Sequence, residues 1–153
     1  MSGKSDDIIV NSGLVTYNVV FEDRGISVPI SFNPNDMNML TRLEESQKNI
    51  EKATEEIPDD INVSEDSENI SEYSEIIKKI NDIVYKEIDN IFGNAISKKI
   101  FQFCSPLSAD KNGITFIERF MNAIAPVMQR DIQQAQAESD KRIAKHIAKY
   151  QKK

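Results

Sequence analysis

Few side chains in this sequence are of the types that make or break covalent bonds, and their spacing limits what they can do. The chain holds one cysteine, Cys104, and one histidine, His146. Neither a disulfide nor a Cys/His zinc site can be assembled within one copy from that inventory. Cys104 follows a Phe-rich apolar run, whereas His146 sits in a Lys-rich one. A buried structural thiol and an exposed imidazole fit this setting better than a nucleophile–base pair. The acidic stretch from Asp59 to Glu75 invites a calcium loop. With Asp60 placed first, Asn62 and Ser64 occupy the third and fifth positions. Glu65 then stands where the turn requires glycine, and Ser71 where a bidentate glutamate is required, so the motif fails twice. The same carboxylates lack the desolvated setting that raises a pKa for acid/base work. The five glycines, at 3, 13, 25, 93 and 113, are isolated, so no glycine-rich run cradles a phosphate. Gly3-Lys4-Ser5 matches the end of a P-loop in letters only. No catalytic, cofactor-binding or metal-ligating set emerges, and a non-enzymatic protein without cofactor is expected.

The elements that would position any binding surface are better defined. The 153 residues and net charge of −6 fit one small domain with an appendage, and the charge is unevenly spread. Residues 44–75 carry a net −10, whereas residues 129–153 carry +4. Residues 14–32 read as β structure, with Ile26, Val28, Ile30 and Phe32 alternating against polar neighbours after the Glu22-Asp23-Arg24-Gly25 turn. Ile8-Ile9-Val10 adds a third short strand, and Pro29 is expected on an edge or at a bulge. Asn33 and Pro34 read as the N-cap and first position of a helix over 34–56. Pro58 closes it, and an acidic mobile connector spans 58–70. The strongest helical pattern covers 71–92, from Tyr73 through Ile80, Val84 and Ile88 to Phe92, with Gly93 as its stop. A shorter helix is expected over 94–103. A last one starts near Ile114, with a kink or break before Pro126. The fold class is therefore α+β and mostly α: an N-terminal β-hairpin or small antiparallel sheet, then about four helices. Residues 1–128 form the domain, and 129–153 form a polar, basic helix or tail that projects from it.

That tail carries the candidate site. Ile143 and Ile147 lie four residues apart, flanked by Arg142 and Lys145, with Ile132 and Tyr150 on either side in sequence. The pattern is that of an amphipathic helix that docks in a partner's groove. The basic residues also have the chemistry to touch phosphates, but no aromatic platform or helix-turn-helix spacing accompanies them. The acidic middle of the chain weighs against nucleic acid as well. No stretch is long and apolar enough for a signal peptide or a membrane span, so a cytoplasmic protein is expected.

In its layout the chain resembles the tail assembly chaperones of long-tailed bacteriophages that infect Gram-positive hosts. The resemblance rests on the β-rich start entering a helix through Phe32-Asn33-Pro34-Asn35-Asp36, and on the run from Ile83 to Gly93. It continues through Ser97-Lys98-Lys99-Ile100-Phe101 and Phe116-Ile117-Glu118-Arg119-Phe120 to Pro126. The order and spacing of these segments carry it, because none is a catalytic signature. The resemblance implies a non-enzymatic protein of the host cell cytoplasm that coats the tape-measure protein, keeps it soluble, recruits tail tube protein and self-associates. Two other classes compete with it: a structural virion component such as a tail-completion protein, and a small regulatory nucleic-acid binder.

Overall fold

The structure, a computed structural model, describes residues 6–57 and 67–151. The calcium-like spacing at Asp60, most of the acidic connector, Gly3-Lys4-Ser5, Lys152 and Lys153 lie outside them. Two antiparallel strands, β1 (Val15–Phe21) and β2 (Ile26–Phe32), pair in unbroken register from Val15–Phe32 to Phe21–Ile26. A short 3-10 turn and Gly25, at φ +63°, join them. Pro29 stands opposite Asn18 with no bulge, which two strands accommodate because each has an open edge. Val28, Ile30 and Phe32 are buried, as the alternation requires. The third strand does not form: Ile8, Ile9 and Val10 lie unpaired and 79–93% exposed.

The first helix, α1, spans Met39–Thr54 and starts five residues later than its sequence signals. Local side-chain hydrogen bonds capture the intervening residues. Asn33 Oδ1 accepts from the Asn35 amide at 2.9 Å, and Asp36 Oδ1 accepts from the Asn38 amide at 2.9 Å. Asn33 therefore closes a turn instead of capping the helix, and its Nδ2 donates to the Ser12 carbonyl at 3.1 Å.

Helix α2 (Ser67–Phe92) begins four residues before the expected start, no Pro or Gly intervening. Gly93 ends it at φ +104°, its amide donating to the Asp89 carbonyl at 2.8 Å. The next helix is reduced to one turn, α3 (Ile96–Ile100). Ala95 takes a left-handed φ of 68°, and Asp89 Oδ1 of α2 accepts from the Ser97 amide at 2.8 Å, which fixes where α3 starts. Helix α4 runs from Phe116 to Gln151 without a break at Pro126. Thr115 Oγ1 accepts from the Glu118 amide at 3.3 Å, so the Thr-x-x-Glu box sets its start two residues after Ile114.

One hydrophobic core joins the inner face of the hairpin to α1, α2, α3 and the first half of α4. Leu43, Ile80, Val84, Ile88 and Ile100 are fully buried in it. Phe116 contacts the rings of Phe21, Phe101 and Phe120 at centroid separations of 5.8–6.4 Å, linking three parts of the chain. A polar clamp crosses this core. Glu87 of α2 is buried, accepting from Ser46 Oγ at 2.8 Å and Asn49 Nδ2 at 3.0 Å, both of α1. Glu87→Ala strands the buried Ser46 hydroxyl and leaves the exposed Asn49 amide to water, and is expected to cost about 1–2 kcal/mol in a denaturant titration, with Glu87→Gln costing less.

The loop before α4 is held by Asp110, whose Oδ1 accepts from the Ile114 amide at 3.0 Å and the Asn112 amide at 2.8 Å. These two donors hold its carboxyl below the ordinary 3.8. A carboxylate whose pKa is lowered on folding stabilises fully above its ordinary value and loses that contribution as pH falls through the lowered one. The thermal midpoint should therefore fall as the pH drops below the ordinary 3.8 and through the lowered value, and Asp110→Asn should flatten that part of the slope.

Candidate partner-binding surface

Helix α4 changes character along its length, and the change marks the site. As far as Ile132 its inner face is buried: Ile117, Met121, Ile124, Met128 and Ile132 all belong to the core. From Gln136 to Tyr150 every residue is exposed. At 1.5 Å per residue this overhang is about 22 Å long. An isolated helix of that size is marginal in water, because nucleation is costly and propagation is not. Here the packed half supplies the nucleus, and Ala, Gln and Lys propagate it.

A polar cluster sits where the helix leaves the domain. The Tyr17 hydroxyl of β1 donates to Asp131 Oδ2, and the Arg130 guanidinium donates to the Tyr17 oxygen at 3.1 Å and Asp131 Oδ1 at 3.2 Å. The hydrogen bond to Asp131 raises the Tyr17 pKa, with burial adding to it, and Asp131 with Tyr17 raises that of Arg130. These bonds tie the exit of α4 to the hairpin.

Beyond this cluster the core-facing stripe continues into solvent. Met121, Ile132 and Ile143 recur every eleven residues, as do Ile117, Met128, Ser139 and Tyr150. An 11-residue repeat corresponds to about 3.67 residues per turn, so the stripe hardly drifts around the helix. Ile143, Ile147 and Tyr150 are 50–65% exposed, with the His146 ring edge-on to Tyr150. Arg142, Lys145 and Lys149, at spacings of three and four, share a separate face of the helix, roughly 130° around from this stripe. Of the six residues expected to meet a partner, five stand on the exposed overhang: Arg142, Ile143, Lys145, Ile147 and Tyr150. Ile132 is instead buried in the core, where it anchors the helix.

The apolar faces of α2 and the Phe-rich segments offer less than their composition promised. Ile80, Val84, Ile88, Ile91, Phe92 and Phe101 are consumed by the core, whereas Ile70 and Phe103 are exposed, with Arg24 over the Phe103 ring. Among the described residues two clefts border the packed half of α4. One, of about 300 Å³, lies between β1 and α4, lined by Val19, Ile30, Phe120, Ile124 and Val127. The other, of about 490 Å³, lies between the end of α1 and the start of α4. Ile50, Ile57 and Met121 line it, with Glu51, Glu55 and Glu118 at its rim. Sequence periodicity missed both clefts, because each is made by elements distant along the chain.

Cys104 is half-buried in the loop after α3, and His146 lies on the overhang. Among the described residues no group of three or more His, Cys, Asp or Glu converges to hold a metal, and no helix is long and apolar enough to cross a membrane. No curated protein and no solved structure matches this chain. A family model does match, over residues 26–153, from the start of β2 through the whole overhang. The chain belongs to that family, the family of unknown function DUF6673.

Proposed function

We propose that this protein is a non-enzymatic assembly chaperone of the phage-tail type, working in the host cell cytoplasm. It binds the tape-measure protein, keeps it soluble and helps recruit tail tube protein while the tail is built. The observation that supports this reading is the overhang of α4, a preformed amphipathic helix whose apolar stripe has no core to cover. A long helical client offers the same kind of stripe over many turns, and a nearly straight 11-residue pattern can follow one. The charged remainder of the surface keeps a client-loaded complex in solution.

The test is co-expression with the tape-measure protein encoded nearby. A chaperone raises the soluble fraction of that client and co-purifies with it in several copies, yet is absent from finished particles. A client that precipitates regardless, with this chain recovered in the particles, assigns it to the virion structure instead.

A further inference from the structure

The two edges of the hairpin are not equivalent. Pro29 has no amide proton, so the Asn18–Pro29 pair is one whose backbone groups point away from the partner strand. The Thr16 and Ser31 hydroxyls meet at 2.8 Å, the close side-chain approach of the same kind of pair. Alternation then turns the amide and carbonyl of Thr16, Asn18 and Val20 toward the outer edge of β1. Among the described residues none of these groups bonds to the backbone of another segment. The edge of β2 is interrupted by Pro29, and β2 packs against α2 and α3. The edge that can still pair is therefore that of β1.

Helix α4 runs alongside that edge. The Tyr17 hydroxyl reaches Asp131 at one end, and the Phe21 and Phe116 rings meet at 5.9 Å at the other. Between these contacts lies the β1/α4 cleft, floored by Val19, Ile30, Phe120 and Ile124, with no charged residue in its lining. Its outer wall is one ridge of α4. Arg119, Ala123, Val127 and Arg130 follow one another at spacings of four, four and three, so they share a side of the helix. Ala123 is exposed and Val127 half-buried. Arg119 lies over the Phe116 ring and Arg130 bonds the Tyr17 oxygen, so one cation marks each end of the cleft. The two arginines stand about 16 Å apart along the axis, with 40% and 57% of their side chains exposed.

An unpaired strand edge beside an apolar cleft, with a cation at each end, calls for a particular occupant. A helix has no free backbone to pair with the edge, whereas an extended chain does. Its inward alternate residues fill the cleft when they are apolar, and carboxylates beyond them meet the arginines. We propose that β1 is a docking edge for an extended segment of another protein, apolar at alternate inward positions and acidic on both flanks. The segment adds to the hairpin as a third strand and lies over the α4 ridge. This surface is separate from the overhang, so the proposal holds whether or not the chain is a tail chaperone.

The probe is the synthetic peptide Glu-Thr-Val-Thr-Val-Thr-Glu, with blocked ends, titrated into isotope-labelled full chain and followed by NMR. Binding is expected with a dissociation constant on the order of 100 μM. The amides of Thr16, Asn18 and Val20 should shift, and at saturation exchange with solvent at least about tenfold more slowly. In antiparallel addition the peptide residues that bond this edge share the solvent face with Thr16, Asn18 and Val20. The threonine amides therefore make the ladder while the valines fill the cleft. A peptide N-methylated at its threonines is expected not to bind, and one N-methylated at its valines to bind within about threefold of the parent. Exchanging both flanking Glu for Lys should weaken binding about tenfold. On the protein, Asn18→Pro removes an outward amide without touching the ladder to β2, and Ala123→Glu sets a carboxylate over the cleft. Each should weaken binding at least about tenfold, with the circular dichroism melt checking the fold. Ala123 is exposed, so its variant serves even where Asn18→Pro misfolds. No binding up to about 1 mM, equal binding of the two N-methylated peptides, or shifts confined to the overhang would overturn the proposal. So would slow exchange at Asn18 and Val20 in the free chain, which gives the edge to the chain's own N-terminal residues or, where it rises with concentration, to a second copy. Client solubility in co-expression is a separate readout, so failure here and failure of the chaperone reading can be told apart.

Discussion

Ile88→Ala is expected to lower folding stability by about 3–4 kcal/mol, while Ile147→Ala leaves it within about 0.5 kcal/mol of wild type. Both remove the same three carbons from an isoleucine in a helix, so the difference isolates what each helix packs against. Ile88 is fully buried in the core, beside the Glu87 clamp that joins α2 to α1. Its loss removes transfer free energy and leaves a cavity that close-packed neighbours fill only in part. For a chain of this size the deficit lowers the thermal midpoint by roughly 10 °C. Ile147 is 50% exposed, on a stretch of α4 in which every residue from Gln136 to Tyr150 is exposed. Alanine there even gains slightly in helix propensity, by a few tenths of a kcal/mol at most. Urea titrations of the two variants check the pair. An Ile147→Ala variant destabilised as much as Ile88→Ala would place the overhang inside the fold.

The contrast also shows which features of the chain are written locally. The hairpin was legible because a two-residue period at Val28, Ile30 and Phe32 has one physical meaning, a strand with a buried face. Helix α2 was legible for the same reason at period 3.6, its isoleucines notwithstanding. Helix starts were not. Asn33 has the chemistry of an N-cap, but the same side chain also closes a turn on the Asn35 amide, and nothing local decides between the two. Ile8-Ile9-Val10 is apolar enough for a strand, yet a strand exists only if a neighbour's edge receives it. The shortening of α3 depends on Asp89 reaching the Ser97 amide across a turn set by Ala95.

The binding surface divides along the same line. The amphipathic pattern around Ile143 and Ile147 is local, and the sequence alone located it. The role of Ile132 depends on how far the core extends along α4, which is set by the packing of the hairpin. The Tyr17–Asp131 bond joins residues 114 positions apart, and the α1/α4 cleft joins Glu51 to Glu118. Long-range juxtapositions of this kind leave no periodicity in the chain. Glu87 is the sharpest instance: a carboxylate on an apolar face reads as an error until Ser46 and Asn49 are seen to satisfy it.

Where α4 stops belonging to the core sets the outcome of the second large experiment, a pair of truncations. A chain ending at Gln136 is expected to fold as stably as the full protein and, on the proposed reading, to leave the tape-measure protein insoluble. A chain ending at Gln129 is expected to lose stability as well, by about 2–4 kcal/mol for the buried Ile132 side chain. That cut also removes Arg130 and Asp131, leaving the Tyr17 hydroxyl of β1 without its acceptor where the helix leaves the domain. The shorter chain therefore confounds folding with binding, and the longer one separates them. Everything beyond Gln136 is exposed as far as Tyr150, so its removal uncovers no core. It does remove Ile143, Ile147 and Tyr150 together with the basic residues beside them. Melting curves should superimpose for the full chain and the Gln136 form, and soluble client in co-expression should fall to the level seen without any chaperone. A Gln136 form that still rescues the client would move the client site off the α4 overhang. The β1/α4 cleft lined by Val19, Ile30 and Val127 would then be the surface to mutate.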